Sequence, residues 1–287
     1  MRALPLVVAL GCLVLARVTA GGRGDPAAAG SDAWSGARVG LSPRLEPPPG
    51  LPPDPAEQAL ARARAARRAM AGTTGERLAA LRRAAVASSL AVAEAHPDRP
   101  QGAEGAFRAG ELLRAGGDTA GALAAFERAA ALGEGTALGA RATYEAGHVL
   151  RRAGRHAEAL DRYEAATADP AADPGRRDLA RLWIVHTRLA LDRPAEAERL
   201  LRRLVHDAVD PVTRVRAHDV LVTLLVERGE LAAAVGWLDA CKRSVAAASL
   251  EETVRGARVR RALEDLACLP PLRDAIARRT AAGTTDR

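Results

Sequence analysis

The 22 residues AGELLRAGGDTAGALAAFERAA (Ala109–Ala130) return 37 residues later as AGHVLRRAGRHAEALDRYEAAT (Ala146–Thr167), identical at ten positions. Self-similarity at a fixed period constrains the fold more than any other property of the chain, because one supersecondary unit must recur. Each copy reads as an apolar-periodic helix, a Gly-containing turn (Gly116-Gly117-Asp118, then Gly154-Arg155) and a second helix. The pattern continues in weaker form: Ala122, Ala159, Ala197 and Ala234 follow one another at steps of 37, 38 and 37. Four residues after each alanine stands a bulky packer, Phe126, Tyr163, Leu201 and Leu238, and three further on come Ala129, Ala166, Leu204 and Cys241. Offsets of four and seven share one helix face. Twelve residues before the alanines stand Gly110 and Gly147, then Val185 and Val222. Small residues on the first helix and alanine on the second let two backbones approach, while the bulky residue fills the groove to the next hairpin. One hairpin cannot bury both its faces, so hairpins must stack.

These positions resemble the tetratricopeptide repeat (TPR) family. The segments starting near Ala103 and Ala140 match its pattern at Gly110 and Gly147, Ala122 and Ala159, Phe126 and Tyr163, Ala129 and Ala166. They depart from it at Ala106 and Thr143, where an aromatic is usual, and at Leu113 and Leu150, where Tyr is usual. The units near 178–205 and 215–240 keep the second-helix half of the motif. The resemblance implies an all-α, right-handed superhelix (solenoid) of stacked antiparallel hairpins; a plain helical bundle is the alternative. It also implies a concave groove lined by the first helix of each unit. The matching positions are Phe107, Arg108, Glu111 and Arg114, then Arg141, Tyr144, Glu145, His148 and Arg151, then Leu182, Trp183 and His186, then Arg216, Asp219 and Thr223. Aromatic and Arg residues on one stripe are what protein-binding surfaces hold. The alternative reading packs Phe107, Tyr144 and Trp183 as core between units, and solvates or hydrogen-bonds the two histidines rather than placing them on a metal. One subtype of the family clamps terminal carboxylates with Lys and Asn. This chain has one lysine, Lys242, off the stripe, and no asparagine.

Outside the repeats the composition shifts. Residues 1–20, MRALPLVVALGCLVLARVTA, read as a secretory signal peptide: Arg2, an apolar run to Ala16, and Val18-Thr19-Ala20 before Gly21. The run is short for a membrane anchor, which needs about 20 residues. Lipidation at Cys12 is set lower because Leu13-Val14-Leu15 continue the apolar run past it. Residues 21–54, rich in Gly and Pro, read as a disordered linker, and Arg23-Gly24-Asp25 within it as a chance tripeptide. A degenerate hairpin is expected at 55–102, four repeats at 103–248, capping helices at 249–279 and a frayed tail at 280–287. The cap is expected to start at the capping box Ser249-Leu250-Glu251-Glu252.

The formal charge of +7 falls to +5 once Arg2 and Arg17 are removed with the signal. That balance does not read as nucleic-acid binding, because Arg alternates with Glu along helices and aromatics make up 2% of residues. Cys241 and Cys268 are expected to be buried thiols, about 16 Å apart at helical rise and so not paired. No phosphate loop, nucleophile elbow or metal-ligand spacing stands in the sequence. The expectation is an exported, non-catalytic protein-protein interaction scaffold or assembly adaptor of the cell envelope, periplasmic or secreted, without a cofactor or a membrane span after signal removal. Its partner would be a protein or peptide. The alternatives are a self-associating structural component and an enzyme whose site is assembled from distant residues.

Overall fold

The computed structural model describes residues 54–250 and 253–285, and every regular element within them is a helix. The expected signal peptide and nearly all of the expected linker lie outside the described residues. The chain divides into units of residues 1–58 and 59–287, and the helical stack belongs to the second. Helix α1 (Pro55–Arg68) is followed by α2 (Gly75–Ala95) and then four hairpins. These are α3 (Pro100–Ala115) with α4 (Thr119–Leu132), α5 (Ala137–Arg152) with α6 (His156–Ala168), α7 (Pro174–Ala190) with α8 (Pro194–Asp207), and α9 (Pro211–Glu227) with α10 (Leu231–Leu250). Helices α11 (Val254–Glu264) and α12 (Leu269–Thr285) complete the order.

The four hairpins share one turn. Gly117, Gly154, Asp192 and Gly229 all take a left-handed φ, of 83°, 75°, 56° and 76°. The next residue's N–H then reaches back five positions: Asp118 to the Leu113 carbonyl, Arg155 to Leu150, Arg193 to Arg188 and Glu230 to Leu225. This is the 6→1 closure of a Schellman C-cap, which ends the first helix and reverses the chain within a few residues. Helix starts are equally explicit. Prolines open α3, α7, α8 and α9, where a missing N–H costs nothing, and Asp173 and Asp210 cap α7 and α9 by accepting from Arg176 N and Thr213 N.

Between the helices of one hairpin, size is matched residue by residue. A Cβ placed on Gly110 would come within 2.8 Å of the Phe126 ring, and one on Gly147 within 2.8 Å of the Tyr163 ring. Each ring therefore seats on the glycine of its own hairpin, in addition to facing the next one. Where Val185 and Val222 replace the glycines, Leu201 and Leu238 replace the rings, and the alanines at 122, 159, 197 and 234 stay wholly buried throughout. Interiors at crystal-like density accept such paired changes of volume far better than single ones.

The stack is a TPR-like helical solenoid. From α2 to α11 each helix packs on its neighbours in sequence, and first helices also meet across units, α3 with α5, α5 with α7 and α7 with α9. One cluster runs from α2 to α5 around Phe107 and Phe126, and a larger one from α5 to α12. Leu60 and Ala63 of α1 pack with Val92 of α2.

The C-terminal end departs from expectation. Helix α10 continues through Leu250, so Ser249 lies inside it, and Thr253 caps α11 by accepting from Gly256 N at 3.1 Å. The turn after α11 folds back onto α9, where Asp219 Oδ1 accepts the Cys268 N–H at 2.8 Å. That return brings Cys268 and Cys241 around one carboxylate, instead of a helix-length apart. Both are buried free thiols. Burial, with the Asp219 charge beside it, pushes Cys241 up to about 11 and Cys268 further still.

Candidate partner-binding groove

The stripe expected to line a groove separates into two layers. Phe107, Tyr144, His148 and Trp183 are buried, His148 at 1% exposure, so they form a floor and not a contact surface. The alternative that packed Phe107, Tyr144 and Trp183 between units describes their placement. Arg108, Glu111, Arg114, Arg141, Arg151, His186, Arg216 and Asp219 are half-buried above or beside them.

From Tyr144 to His186 the rings touch in sequence, edge-to-face on both sides of His148 and tilted at His186. Tyr144 meets His148 at 4.5 Å between centroids, His148 meets Trp183 at 4.8 Å across the unit boundary, and Trp183 meets His186 at 5.3 Å. His148 and His186 occupy matching positions in adjacent units, yet their surroundings differ. His148 Nδ1 is 3.0 Å from the Tyr163 hydroxyl. Burial, aided by Arg151, holds His148 well below its ordinary range, so the ring stays neutral. His186 is held down to about 4 by burial and by Arg151 and Arg216. These are structural imidazoles, placed to pack.

Arginines roof the floor. The Arg141 guanidinium of α5 lies 4.5 Å from the Phe107 ring of α3, and Arg151 lies 4.3 Å from the Trp183 ring of α7. Each is a cation–π contact between units, worth about 0.5–2 kcal/mol depending on solvation. The rings thus act through the arginines that cover them.

Charge divides the stripe along its length. Towards α1 and α3 five arginines share three carboxylates. Arg64 pairs with Glu104 at 2.9 Å, and Glu111 takes Arg67 at 3.0 Å, Arg108 at 2.9 Å and Arg141 at 3.6 Å. Arg114 meets Glu145 at 2.5 Å. Burial alone would raise the Glu111 carboxyl, but Arg108 with Arg67 and Arg141 holds it below the usual range. Arg151 and Arg216 form no ion pair among the described residues. Burial and the nearby Arg258 of α11 lower the Arg216 guanidinium's pKa, against the pull of Asp210. Asp219, expected on the groove, instead holds the Cys268 N–H, and the Thr223 hydroxyl donates to the Asp219 carbonyl at 2.8 Å.

Several contributors were invisible in the sequence. Arg64 and Arg67 come from the degenerate first helix, Arg258 from the cap, and Arg176 lies near enough to Arg141 to depress it together with burial. None lies on a repeat position of the stripe, so periodicity could not flag them. Two recesses frame what the surface can accept. Beside Tyr144 and Arg176 there is about 10 Å³, room for a single water. Between α6, α7 and α8 an open trough of about 320 Å³ is bordered by Arg181, Arg188, Arg203 and Asp207. There Arg188 pairs with Glu164 at 3.0 Å and Arg181 with Asp178 at 3.1 Å.

The fold places this chain among TPR-like helical-repeat proteins. A point variant of nearly identical TPR-like repeats, from a Podosopora anserina protein named after kinesin light chain, superposes with a TM-score of 0.51 at 15% identity. That match covers 69% of this chain and 99% of the other. YrrB, described as a TPR protein with an unusual peptide-binding site, matches at 20% identity over 66% of this chain and 96% of its own, with a TM-score of 0.42. No family model and no curated protein matches the sequence.

Proposed function

We propose that the protein is a non-catalytic interaction scaffold or assembly adaptor that takes a partner segment along the first-helix face of α3, α5, α7 and α9. One observation carries this reading: α3, α5 and α9 present half-buried charged side chains, and α7 the half-buried His186, beside a floor of buried residues. Arg141 and Arg151 are already held in place by the rings beneath them, which lowers the entropy cost of binding. The leader-like residues 1–20 make the cell envelope the expected site of action, with export as part of the proposal.

The test is capture of partners from an envelope extract by the full chain and by an Arg151→Glu, Arg216→Glu variant that folds by circular dichroism. Truncating Tyr144 or Trp183 would damage the core and confuse the result. A protein held by the first bait and lost by the second supports the groove; equal capture by both sinks it.

A second reading has its own observation. The large apolar residues exposed among the described ones, Val209, Val235, Val254 and Ile276, all belong to the C-terminal third. Self-association through that end would raise the sedimenting mass with concentration, and Val235→Lys would abolish the rise.

A further inference from the structure

The C-terminal end of the chain touches the same stripe that a partner segment would follow. Asp219 is the α9 residue of that stripe whose carboxylate accepts the Cys268 N–H, at 2.8 Å. If the array simply continued, α11 and α12 would pair as a fifth hairpin. Helix α11 does take the next first-helix place, packed on α9 and α10, but α12 packs chiefly on those same two helices. The chain therefore turns back after Glu264 instead of extending the stack. Three side chains hold the return: Leu266, Cys268 and Leu272 are 6%, 0% and 4% exposed. They share one apolar cluster with Leu221 and Val222 of α9 and with Cys241 and Val245 of α10. Beyond Leu272 the grip weakens, for Arg273, Asp274, Ile276 and Arg278 are exposed. A helix as short as α12 is marginal in water without tertiary packing, so its folding depends on this one buried turn.

We infer that the turn after α11 and helix α12 are an intramolecular occupant of the α9 end of the groove, which a partner segment reaching α9 must displace. This rests on the groove reading and deepens it, because access to the fourth unit becomes conditional. The contact has the parts of a peptide contact: a backbone N–H taken by a stripe carboxylate, and buried anchors four residues apart, Cys268 and Leu272. A structural cap opens only when the hairpin beneath it unfolds, whereas a displaceable occupant opens by itself. A partner that binds the open form draws that equilibrium towards it.

The experiment is amide hydrogen exchange on the full chain, native and with Leu272→Asp or the milder Leu269→Asp, followed by a binding measurement on the same proteins. In the native chain the amides of residues 268–274 should exchange about tenfold or more faster than those of α9 and α10, and either variant should speed them further while α3 to α8 stay unchanged. The probe for the uncovered surface is a labelled synthetic peptide of residues 265–285. It should bind whichever variant folds by circular dichroism, crosslink from a photoreactive residue at Thr223, and bind the native chain about tenfold or more weakly, because there the surface is already covered. Exchange of residues 268–274 at the rate of α9 and α10 would make α12 a structural cap and overturn the inference. Peptide binding without the Thr223 crosslink, or no binding to a folded variant, would overturn it too. An envelope partner captured by the native chain, lost by Arg151→Glu, Arg216→Glu and captured no better by Leu272→Asp would overturn the occupant and leave the groove standing. Equal capture by the Arg151→Glu, Arg216→Glu variant sinks both.

Discussion

The Phe126 ring lies 2.8 Å from where a Cβ on Gly110 would stand. This contact is the small-plus-large half of a pattern whose other half is Val185 with Leu201. Gly110→Val alone should therefore cost about 2–3 kcal/mol in urea unfolding, through overpacking. Adding Phe126→Leu should recover more than half of that, since the pair then copies a hairpin the chain already builds. Simple additivity of the two losses would show that the contact does not set the helix spacing.

Asp192 is the non-glycine among the four left-handed turn residues, with φ at 56°. Its side chain is exposed, so the turn needs its backbone angle and not its carboxylate. Asp192→Gly should raise stability by about 0.5–1 kcal/mol, a gain that calorimetry would register as a higher Tm.

His218 is 2% exposed, beside the Trp237 ring, and burial with His206 and Arg214 nearby lowers its pKa to about 4. An unfolded histidine titrates near 6.5. Between those values the unfolded chain binds more protons, so stability is full above about pH 6.5 and falls as pH drops towards 4. His218→Phe should flatten the decline of Tm across that window. An unchanged slope would assign the decline to His186 or to carboxylates.

Glu111 also loses its contribution on acidification, but over the carboxylate range. Its folded carboxyl is depressed by Arg108, Arg67 and Arg141, so its stabilisation is present above the ordinary carboxylate range and is lost as pH falls through the lower folded value. Glu111→Gln should cost about 1–3 kcal/mol at pH 7 and almost nothing near pH 2, as read by denaturation midpoints at the two pH values.

Asp219 fastens the C-terminal turn through the Cys268 N–H. In the native chain Cys241 and Cys268 should resist thiol reagents, being buried with raised pKa values. Asp219→Ala should expose Cys268 first, and peptide-level mass spectrometry after alkylation would show which thiol reacts. Equal protection in the variant would mean that apolar packing alone holds the turn.

How far the sequence could be read depends on the separation between interacting groups. The glycine turns and the Gly–aromatic pairs involve residues within one hairpin, and the 37-residue period repeats them at fixed offsets along the chain. The cap failed for a local reason: Ser249 is a good N-cap, but α10 had not ended, and Thr253 served instead. The fate of the stripe failed for a longer-range one. Phe107, Tyr144 and Trp183 look like contact residues until the arginines above them are placed.

By itself, then, the sequence determined that this chain folds as stacked helical hairpins, because a hairpin with two apolar faces has no stable alternative to stacking. Only the tertiary structure decided which side chains are floor, which are roof and which charges remain unanswered. Glu104, Glu111 and Glu145 meet cations 30 to 44 residues away, from helices that come together only in the stack. Arg151 and Arg216 form no ion pair among the described residues, and whether a charge finds its counter-ion depends on distances in space that no spacing along the chain encodes.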